Sequence, residues 1–292
     1  MIDVLGVGIA TLDIVNEVEH TPAEDEEVRA LAQRRVRGGN VTNTLVVLAR
    51  LGHRCAWAGT WAEEPDARVI LDDLTAHGVD ITPARGLVQG KVPTSYVTLS
   101  RTTGTRTIVH YRDLPEYPAA VFLTLCHGDY RWIHFEGRAV DELTRMVDHL
   151  VQHHPHLPRS LEVEKPRPGI EALFSRFPLI LFSRHYAHER GFPTPEAFLK
   201  AQRPLAPRAV LCCTWGGEGA WLSLPDGGIL HGPPHPPQRL VDTLGAGDTF
   251  NAGIIHARLC GLEWPEALEL ANRLAGYKCG LRGFEGVERA LD

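Results

Sequence analysis

Short apolar segments of strand length alternate with amphipathic segments of helix length through the middle of this chain. Strands are predicted over 131–135, 159–164, 178–182 and 208–213, and helices over 140–152, 169–175, 184–190 and 195–203. Apolar strands separated by helices are typical of a parallel sheet whose two faces are both covered. The alternation therefore predicts an α/β fold with a mostly parallel central sheet flanked by helices. No segment of linker composition divides the 292 residues, so one domain over 1–292 is expected.

The amino-terminal segment 2–10 is apolar and rich in β-branched residues, and it predicts a further strand that ends at Thr11-Leu12-Asp13. Within it, Gly6-Val7-Gly8 is similar to part of a dinucleotide-binding fingerprint. Because these glycines lie inside the strand and no helix follows directly, the pattern argues against a Rossmann oxidoreductase. A strand over 54–60 and a helix over 65–77 extend the α/β pattern.

Two regions outside this alternation predict a small second sheet. Short strands are expected over 14–18 and 28–32, and the segments 94–100 and 106–111 flank a glycine-containing turn as in a hairpin. Lid strands are therefore placed near 14–32 and 94–111. Since an isolated hairpin is only marginally stable in water, these strands are expected to pair with each other or with a second subunit.

Composition excludes several classes of protein. The formal net charge of −6 argues against a nucleic-acid surface or an anionic membrane as partner, and no apolar run approaches a membrane span. The chain does not open on a basic segment followed by an apolar stretch, so a cytoplasmic location is expected. The six cysteines lack C-x-x-C spacing and lie in apolar segments, which favours buried reduced thiols. His153-His154-Pro155-His156 could suggest a metal site, but a solvated loop after a helix is the favoured interpretation.

One glycine-rich helix start lies near the amino terminus. The run Arg37-Gly38-Gly39-Asn40 predicts the beginning of a helix that continues to Leu51 and stops at Gly52. Asn40 and Asn43 are three residues apart, so both project from one side of the first turn. Paired amides offer donors and acceptors that suit sugar hydroxyls. From this segment alone, a helix-capping Asn40 with a surface Asn43 is an equally good interpretation.

A second such start, Gly245-Ala246-Gly247-Asp248, precedes a helix predicted over 249–259. Bare amides and the positive end of the helix dipole would attract an anion such as a phosphate. Asp248 would repel that anion unless it takes a proton from the group that attacks it. Asp248 taken by itself is more simply a helix cap. The flanking glycines and the rest of the chain favour the role of general base for Asp248.

These two helix starts, with an α/β body between them, resemble the two signatures of the ribokinase-like carbohydrate kinase family. The runs Glu162-Val163-Glu164-Lys165-Pro166-Arg167 and Lys278-Cys279-Gly280-Leu281-Arg282-Gly283-Phe284 are similar to its ketohexokinase branch. The resembling segments span almost the whole chain. The resemblance implies a ribokinase-like fold with a small β-sheet lid, and an ATP-dependent kinase that phosphorylates the C1 hydroxyl of a ketohexose, converting D-fructose to fructose 1-phosphate.

The same resemblance assigns roles to individual residues. Asp248 would be the general base. The turn Gly245-Ala246-Gly247 would bind the transferring phosphoryl group through the amides of Ala246, Gly247 and Asp248. Sugar-binding positions would be Asp13, Asp25, Gly39, Asn40 and Asn43. Nucleotide-binding positions would be Arg106, Trp215, Gly216, Gly217, Glu218, Gly219, Cys279 and Gly283. Glu164 would help to place Mg²⁺ through water.

The implied ligands are a small sugar, ATP and Mg²⁺, with K⁺ left open. The lid strands themselves predict a homodimer, formed if they pair across two subunits. The Asn-x-x-Glu motif common in ribokinases is missing, because Ser183-Arg184-His185-Tyr186 occupies that region. A kinase of the same family acting on another sugar, a sugar acid or a nucleoside is one alternative. A catalytically silent sugar-binding regulator on the same fold is another.

Overall fold

A computed structural model describes residues 2–291 and contains two principal β-sheets and eight α-helices within that range. The strands are β1 Ile2–Val7, β2 Thr11–Val18, β3 Ala32–Gly38, β4 Cys55–Ala58, β5 Thr60–Ala62, β6 Arg85–Leu87, β7 Lys91–Ser100, β8 Arg106–Asp113, β9 Tyr130–Glu136, β10 Arg159–Val163, β11 Leu179–Ser183, β12 Val210–Thr214, β13 Ala220–Ser223 and β14 Ile229–Gly232. The helices are α1 Asn40–Arg50, α2 Ala67–Ala76, α3 Ala119–Phe122, α4 Val140–His153, α5 Arg184–Glu189, α6 Pro195–Gln202, α7 Ala246–Leu259 and α8 Trp264–Cys279.

The central sheet has eight strands in the order β14-β13-β12-β11-β10-β9-β1-β4. The six strands from β12 to β4 run parallel, and the hairpin β13–β14 continues the sheet in the antiparallel sense. This confirms the predicted α/β fold with a mostly parallel sheet. The helix predicted over 169–175 is instead a 3-10 helix at Ile170–Arg176.

Successive residues of each strand point to opposite sides, so both faces of this sheet present apolar side chains. Helices cover both of these faces. Leu179 and Leu181 pack in the cluster that contains α1, α2, α7 and α8, whereas Ile180 and Phe182 pack with α3 to α6. Helices α7 and α8 approach each other closely at Gly253, where an added Cβ would lie 2.7 Å from the Cα of Ala271. Helices therefore cover both faces of the sheet. The edge at the carboxyl ends of the strands is left open for a functional site.

The second sheet has the order β3-β2-β7-β8 and corrects two predicted segments. The strand predicted over 2–10 ends at Val7, and Thr11 to Asp13 begin β2 instead of ending β1. Residues 28–31 of the strand predicted over 28–32 lie in a loop, and β2 pairs with Ala32–Gly38. Apolar content alone does not indicate where a chain leaves one sheet for another, since both strands are largely buried. The hairpin β7–β8 is present, and β7 pairs with β2.

Smaller differences are local. The strand predicted over 54–60 divides into β4 and β5, and β5 pairs with the unpredicted β6. Helix α7 begins three residues earlier than expected, and α8 continues to Cys279. All six cysteines are free, but Cys126 and Cys260 are exposed, contrary to the prediction of buried thiols. No helix in residues 2–291 has the length and apolar character needed to cross a membrane.

Candidate active site

A cleft of about 400 Å³ lies between the second sheet and the carboxyl ends of β9, β10, β11 and β12. Sites of open α/β sheets typically lie at this edge. The structure brings most of the predicted catalytic, sugar and metal residues into this one cleft, together with one predicted nucleotide residue. Those that line it are Asp13, Gly39, Asn40, Asn43, Arg106, Glu164, Gly245, Ala246, Gly247 and Asp248.

Asp248 lies in the first turn of α7, and 7% of it is exposed. The residue that precedes the helix is Gly245, whose φ of 81° is a left-handed conformation that favours glycine. A side chain there would also collide with the ring of Phe284, because an added Cβ would lie 2.5 Å from Cζ. Asp248 does not cap the helix, since α7 has no side-chain cap hydrogen bond. Its carboxylate instead faces the cleft.

The anion-binding turn has fewer bare amides than expected. The Ala246 amide donates to the Thr243 carbonyl at 3.3 Å. Within residues 2–291, the amides of Gly247 and Asp248 have no backbone acceptor. These two N–H groups stand at the positive end of the α7 dipole, where an anion is stabilised.

Asn43 is a direct partner of Asp248 and is buried, which excludes the surface interpretation of this residue. Its Nδ2 donates to Asp248 Oδ2 at 2.6 Å, and its Oδ1 accepts from Arg37 Nη1 at 2.7 Å. Arg37 is itself held by Asp73, since its Nε donates to Oδ2 at 2.5 Å. Arg37 thus fixes the orientation of the Asn43 amide, with its donor side toward Asp248.

Burial raises the pKa of Asp248 to about 7. The Asn43 hydrogen bond and the Arg37 charge oppose this rise, whereas the nearby Glu164 and Glu136 carboxylates add to it. A carboxylate with a pKa near neutral pH is suited to accept a proton from a hydroxyl group. The site therefore has the protonation chemistry of a general base.

Three further carboxylates stand at the ends of neighbouring strands. Glu136 ends β9, Glu162 lies opposite it on β10, and Glu164 follows β10. Asn40 donates from Nδ2 to Glu162 at 2.9 Å and to Glu164 at 3.2 Å, so it does not act as the cap of α1. Sequence reasoning assigned no role to Glu136 or Glu162. Acidic residues that close two adjacent apolar strands are the signal that could have identified them.

These three carboxylates could bind a cation. Burial raises the pKa of Glu136 to about 7 and raises that of Glu162 as well. Among residues 2–291 the buried Glu162 Oε2 has no hydrogen-bond partner, and His134 Nε2 lies 3.9 Å away from it. A buried acceptor without a partner is costly unless a ligand satisfies it. Carboxylate oxygens are the ligands that Mg²⁺ takes, so these residues fit a magnesium ion held partly through water.

The second sheet forms the opposite wall of the cleft. Asp13 on β2 is buried and accepts from the Thr11 hydroxyl at 2.9 Å, and burial raises its pKa. Arg106, at the start of β8, donates from Nη1 to Thr243 Oγ1 at 3.3 Å. The second sheet therefore presents an acceptor and a cation toward the turn that contains Asp248.

Several predicted residues lie outside the cleft lining. Asp25 is exposed in the loop between β2 and β3 and has a φ of 62°. The predicted nucleotide loop follows β12 and comprises Trp215, Gly216, Gly217, Glu218 and Gly219, of which 216–218 form a 3-10 turn. Cys279 ends α8, and Gly283 follows in a left-handed turn. The carbonyl of Cys279 accepts from the amides of Val241 and Asp242, so this predicted nucleotide segment lies beside the chain that leads into Gly245.

Lys278 is a fully buried cation under that same chain. Its Nζ donates to the Asp242 carbonyl at 2.8 Å and lies 3.8 Å from Asp242 Oδ2 and 5.6 Å from the centre of the Phe284 ring. Burial lowers its pKa, while the Asp242 and Asp248 carboxylates oppose the change. The sequence identified this segment by resemblance but predicted no role for the lysine.

Comparison with known proteins agrees with this geometry. Residues 1–286 match the family described as pfkB family carbohydrate kinase. The chain is 39% identical to ketohexokinase of Mus musculus over 292 residues, covering 97% of this chain and 98% of that protein. It is 26% identical to ribokinase of Bacillus subtilis (strain 168) over 285 residues, covering 96% of this chain and 94% of that protein.

Solved structures share the fold at low sequence identity. A putative ribokinase from Agrobacterium tumefaciens superposes with a TM-score of 0.88 at 21% identity, covering 99% of this chain and 96% of that one. Arabidopsis thaliana ribokinase complexed with ribose and ATP gives a TM-score of 0.81 at 18% identity, covering 100% of this chain and 99% of that one. The architecture of the two sheets is therefore ribokinase-like.

Proposed function

Because this chain belongs to the pfkB family of carbohydrate kinases, we propose that it transfers the γ-phosphoryl group of ATP to the C1 hydroxyl of a ketohexose, converting D-fructose to fructose 1-phosphate. Phosphorylation of sugars by ATP is the activity of the family. The buried Asp248 carboxylate, held by Asn43 beside two bare amides, is the observation that carries the reaction type. The ketohexose substrate rests on the full-length similarity to the mouse ketohexokinase.

In the proposed reaction, Asp248 accepts the proton of the C1 hydroxyl as that oxygen attacks the γ-phosphorus. The bond between the γ-phosphorus and its bridging oxygen breaks, and ADP leaves. The amides of Gly247 and Asp248 donate to the phosphoryl oxygens, where charge is concentrated in the transition state. Asp13 and the paired asparagines of α1 orient the sugar, which converts a bimolecular reaction into an oriented one.

The carboxylates at the end of β10 complete the proposal. Glu162 and Glu164 would hold Mg²⁺ through water, with Asn40 bridging the two side chains. Bound Mg²⁺ would neutralise phosphate charge. Arg106 would contact the nucleotide phosphates from the second sheet, because a guanidinium can meet two phosphate oxygens at once. The loop 215–219 and the segment from Cys279 to Gly283 would hold the adenosine.

We also propose that the protein is a homodimer formed through the outward face of β7 and β8. Tyr96 and Val109 are paired across the two strands and are 45% and 66% exposed, and Tyr111 on the same face is 50% exposed. An apolar patch on an edge pair of strands is typical of an interaction surface. Light scattering should give twice the monomer mass, and Val109→Asp should give the monomer. A monomeric wild-type protein would exclude this assembly.

A substrate panel with coupled detection of ADP tests the proposed reaction. The panel contains D-fructose, other ketoses, ribose, sugar acids and nucleosides, and the enzyme without substrate provides the background. The proposal predicts the highest kcat/KM with D-fructose and a product that carries its phosphate on C1, determined by ³¹P and ¹³C NMR. Strong activity on another class without fructose turnover would overturn the substrate assignment. Replacing K⁺ with Na⁺ in the same assay measures any requirement for a monovalent cation.

Calorimetry separates the kinase from a silent binding protein. Asp248→Asn should still bind the nucleotide but release little ADP. If wild-type protein binds sugar and ATP without releasing ADP, the catalytic proposal is wrong, although the fold and family remain.

A further inference from the structure

A cluster of histidines lies at the edge of the central sheet opposite the catalytic cleft. His127 is in the 3-10 turn that leads into β9, while His149 and His154 lie at the end of α4. Strand β9 runs from Tyr130 to Glu136, and its far end reaches the cleft. Seven residues of strand span about 20 Å. The histidine cluster is therefore separate from the carboxylates of the catalytic site.

The three imidazoles converge although they come from two elements of the chain. One ring nitrogen from each of His127, His149 and His154 lies within 4.8 Å of the other two. The ring centres of His149 and His154 are 5.3 and 5.4 Å from that of His127. His153 lies beside His149, with ring centres 4.6 Å apart and the two rings tilted by 45°. The sequence pattern indicates only the run 153–156. It does not indicate His127, the buried member of the cluster, because this residue lies before β9 and is distant from the run in the chain.

His127 has an unsatisfied buried nitrogen, which is an observation independent of the clustering. Only 3% of the residue is exposed, and its Nε2 has no hydrogen-bond partner in the part of the chain that the structure describes. The ring packs against Phe122 at 4.5 Å between centres, which holds it in place. A buried polar atom without a partner is costly, so a ligand that satisfied it would stabilise the fold. His149 and His154 are partly exposed and leave a route from solvent.

The donor set selects the kind of ion. Neutral imidazole nitrogens suit zinc and neighbouring transition metals, whereas Mg²⁺ and Ca²⁺ prefer oxygen. Zinc bonds of about 2.0–2.1 Å in a tetrahedron place nitrogens about 3.4 Å apart. The three nitrogens lie within 4.8 Å of one another, so rotation of the two partly exposed side chains would bring them to this spacing.

We propose that His127, His149 and His154 form a binding site for one divalent transition-metal ion, with Zn²⁺ as the expected occupant. Water or His153 completes the tetrahedron. The bound ion links the turn before β9 to the end of α4, and so restrains two segments that lead into neighbouring strands. Because the site stands at the opposite edge from the cleft, the ion stabilises the fold and takes no part in phosphoryl transfer.

Calorimetric titration of the full chain, stripped of metal by chelator, with ZnCl₂ tests the proposal. One equivalent should bind, 5 mM Mg²⁺ should not compete, and the melting temperature should rise. His127→Gln should weaken this binding at least tenfold. Because that residue is buried, the partly exposed His149→Gln and His154→Gln provide variants that keep the fold. His156→Gln and Cys126→Ser, which change exposed neighbours outside the cluster, should bind as the wild type does.

Two outcomes would overturn the site. The first is an absence of saturable Zn²⁺ binding, and the second is equal affinity in wild type, His149→Gln and His154→Gln. X-ray diffraction at the zinc absorption edge gives a readout independent of stability, because the anomalous peak should lie between the three rings. Sugar kinase activity should be unchanged in His149→Gln, so failure of this proposal and failure of the proposed function are distinguishable.

Discussion

Asn43 Nδ2 donates to Asp248 Oδ2 at 2.6 Å and joins two helix starts that are 205 residues apart in the chain. The Arg37 guanidinium on the other side of the amide leaves Asn43 one orientation, because its oxygen is already engaged. The proposed catalytic carboxylate therefore has one oxygen bonded and one oriented toward the cleft. Thr44 adds a hydrogen bond from its hydroxyl to the Asp248 carbonyl at 3.2 Å, so α1 holds the first turn of α7 in place.

We predict that Asp248→Asn lowers kcat by about 10²–10⁴-fold, the range expected for loss of a general base. Nucleotide affinity should change little, because the amides of the turn remain. Steady-state assays and calorimetry with a non-hydrolysable ATP analogue measure the two effects. Asp72→Asn, which changes an exposed carboxylate on α2, is the matched control and should retain wild-type turnover. Wild-type turnover in Asp248→Asn would exclude Asp248 as the base.

The pH profile of Asn43→Ala tests the partner of that base. Burial raises the pKa of Asp248 to about 7, and the Asn43 hydrogen bond opposes this rise. Activity that needs the carboxylate should therefore increase with pH through about 7 in the wild type. Without Asn43 the pKa should rise further, so the acid limb of kcat/KM should move to higher pH. Asn16→Ala, which removes an amide bonded to Gln33, should leave the profile in place. An unchanged acid limb in Asn43→Ala would contradict the assignment.

Stability should depend on pH through the same carboxyl group. Its folded-state pKa of about 7 lies above the ordinary 3.8, so the folded protein favours the protonated form. Ionisation therefore destabilises the fold progressively as pH rises from about 4 to 7, and the full cost is present above pH 7. We expect Asp248→Asn to be more stable than the wild type in urea at pH 8, with a smaller difference at pH 5. A difference that does not vary with pH would refute this linkage.

Glu162→Gln tests the proposed magnesium residues. The substitution keeps the shape of the side chain and the acceptor for Asn40, but removes the charge that a cation would meet. We expect the MgCl₂ concentration for half-maximal activity to rise by about tenfold or more, in the range seen when groups around a metal are altered. Glu269→Gln, on the exposed side of α8, is the control. If both variants respond to Mg²⁺ as the wild type does, Glu162 has no part in binding it.

Lys278→Met tests the buried cation below the anion-binding turn. The ammonium group is the donor to the Asp242 carbonyl, and its loss leaves that partly buried acceptor without this donor. We expect a loss of about 1–3 kcal/mol in unfolding free energy, together with a higher KM for ATP because the chain leading into Gly245 is less restrained. Lys200→Met, an exposed lysine on α6, should change neither quantity. Denaturant titration and steady-state kinetics measure them.

Much of the fold could be predicted because apolar periodicity is a local property of the chain. The strands from β9 to β12 and the helices between them follow directly from it, whereas the divided segment 2–10 does not. Gly8 to Ala10 separate two buried strands that belong to different sheets. The apolar residues of both strands give no sign of this change of sheet. Likewise, β3 contains three arginines, and its strand conformation depends on pairing with β2.

The sequence by itself determined the α/β class, the two glycine-rich helix starts and the residues that resemble a sugar kinase. These depend on local spacing and on the conformational freedom of glycine. Only the tertiary structure decided that Asn43 is the partner of Asp248, that Glu136 and Glu162 share one strand edge, and that Lys278 lies beneath the turn. The physical reason is that a carboxylate's pKa and an amide's orientation depend on burial and on charges distant in the chain, and folding alone brings these together.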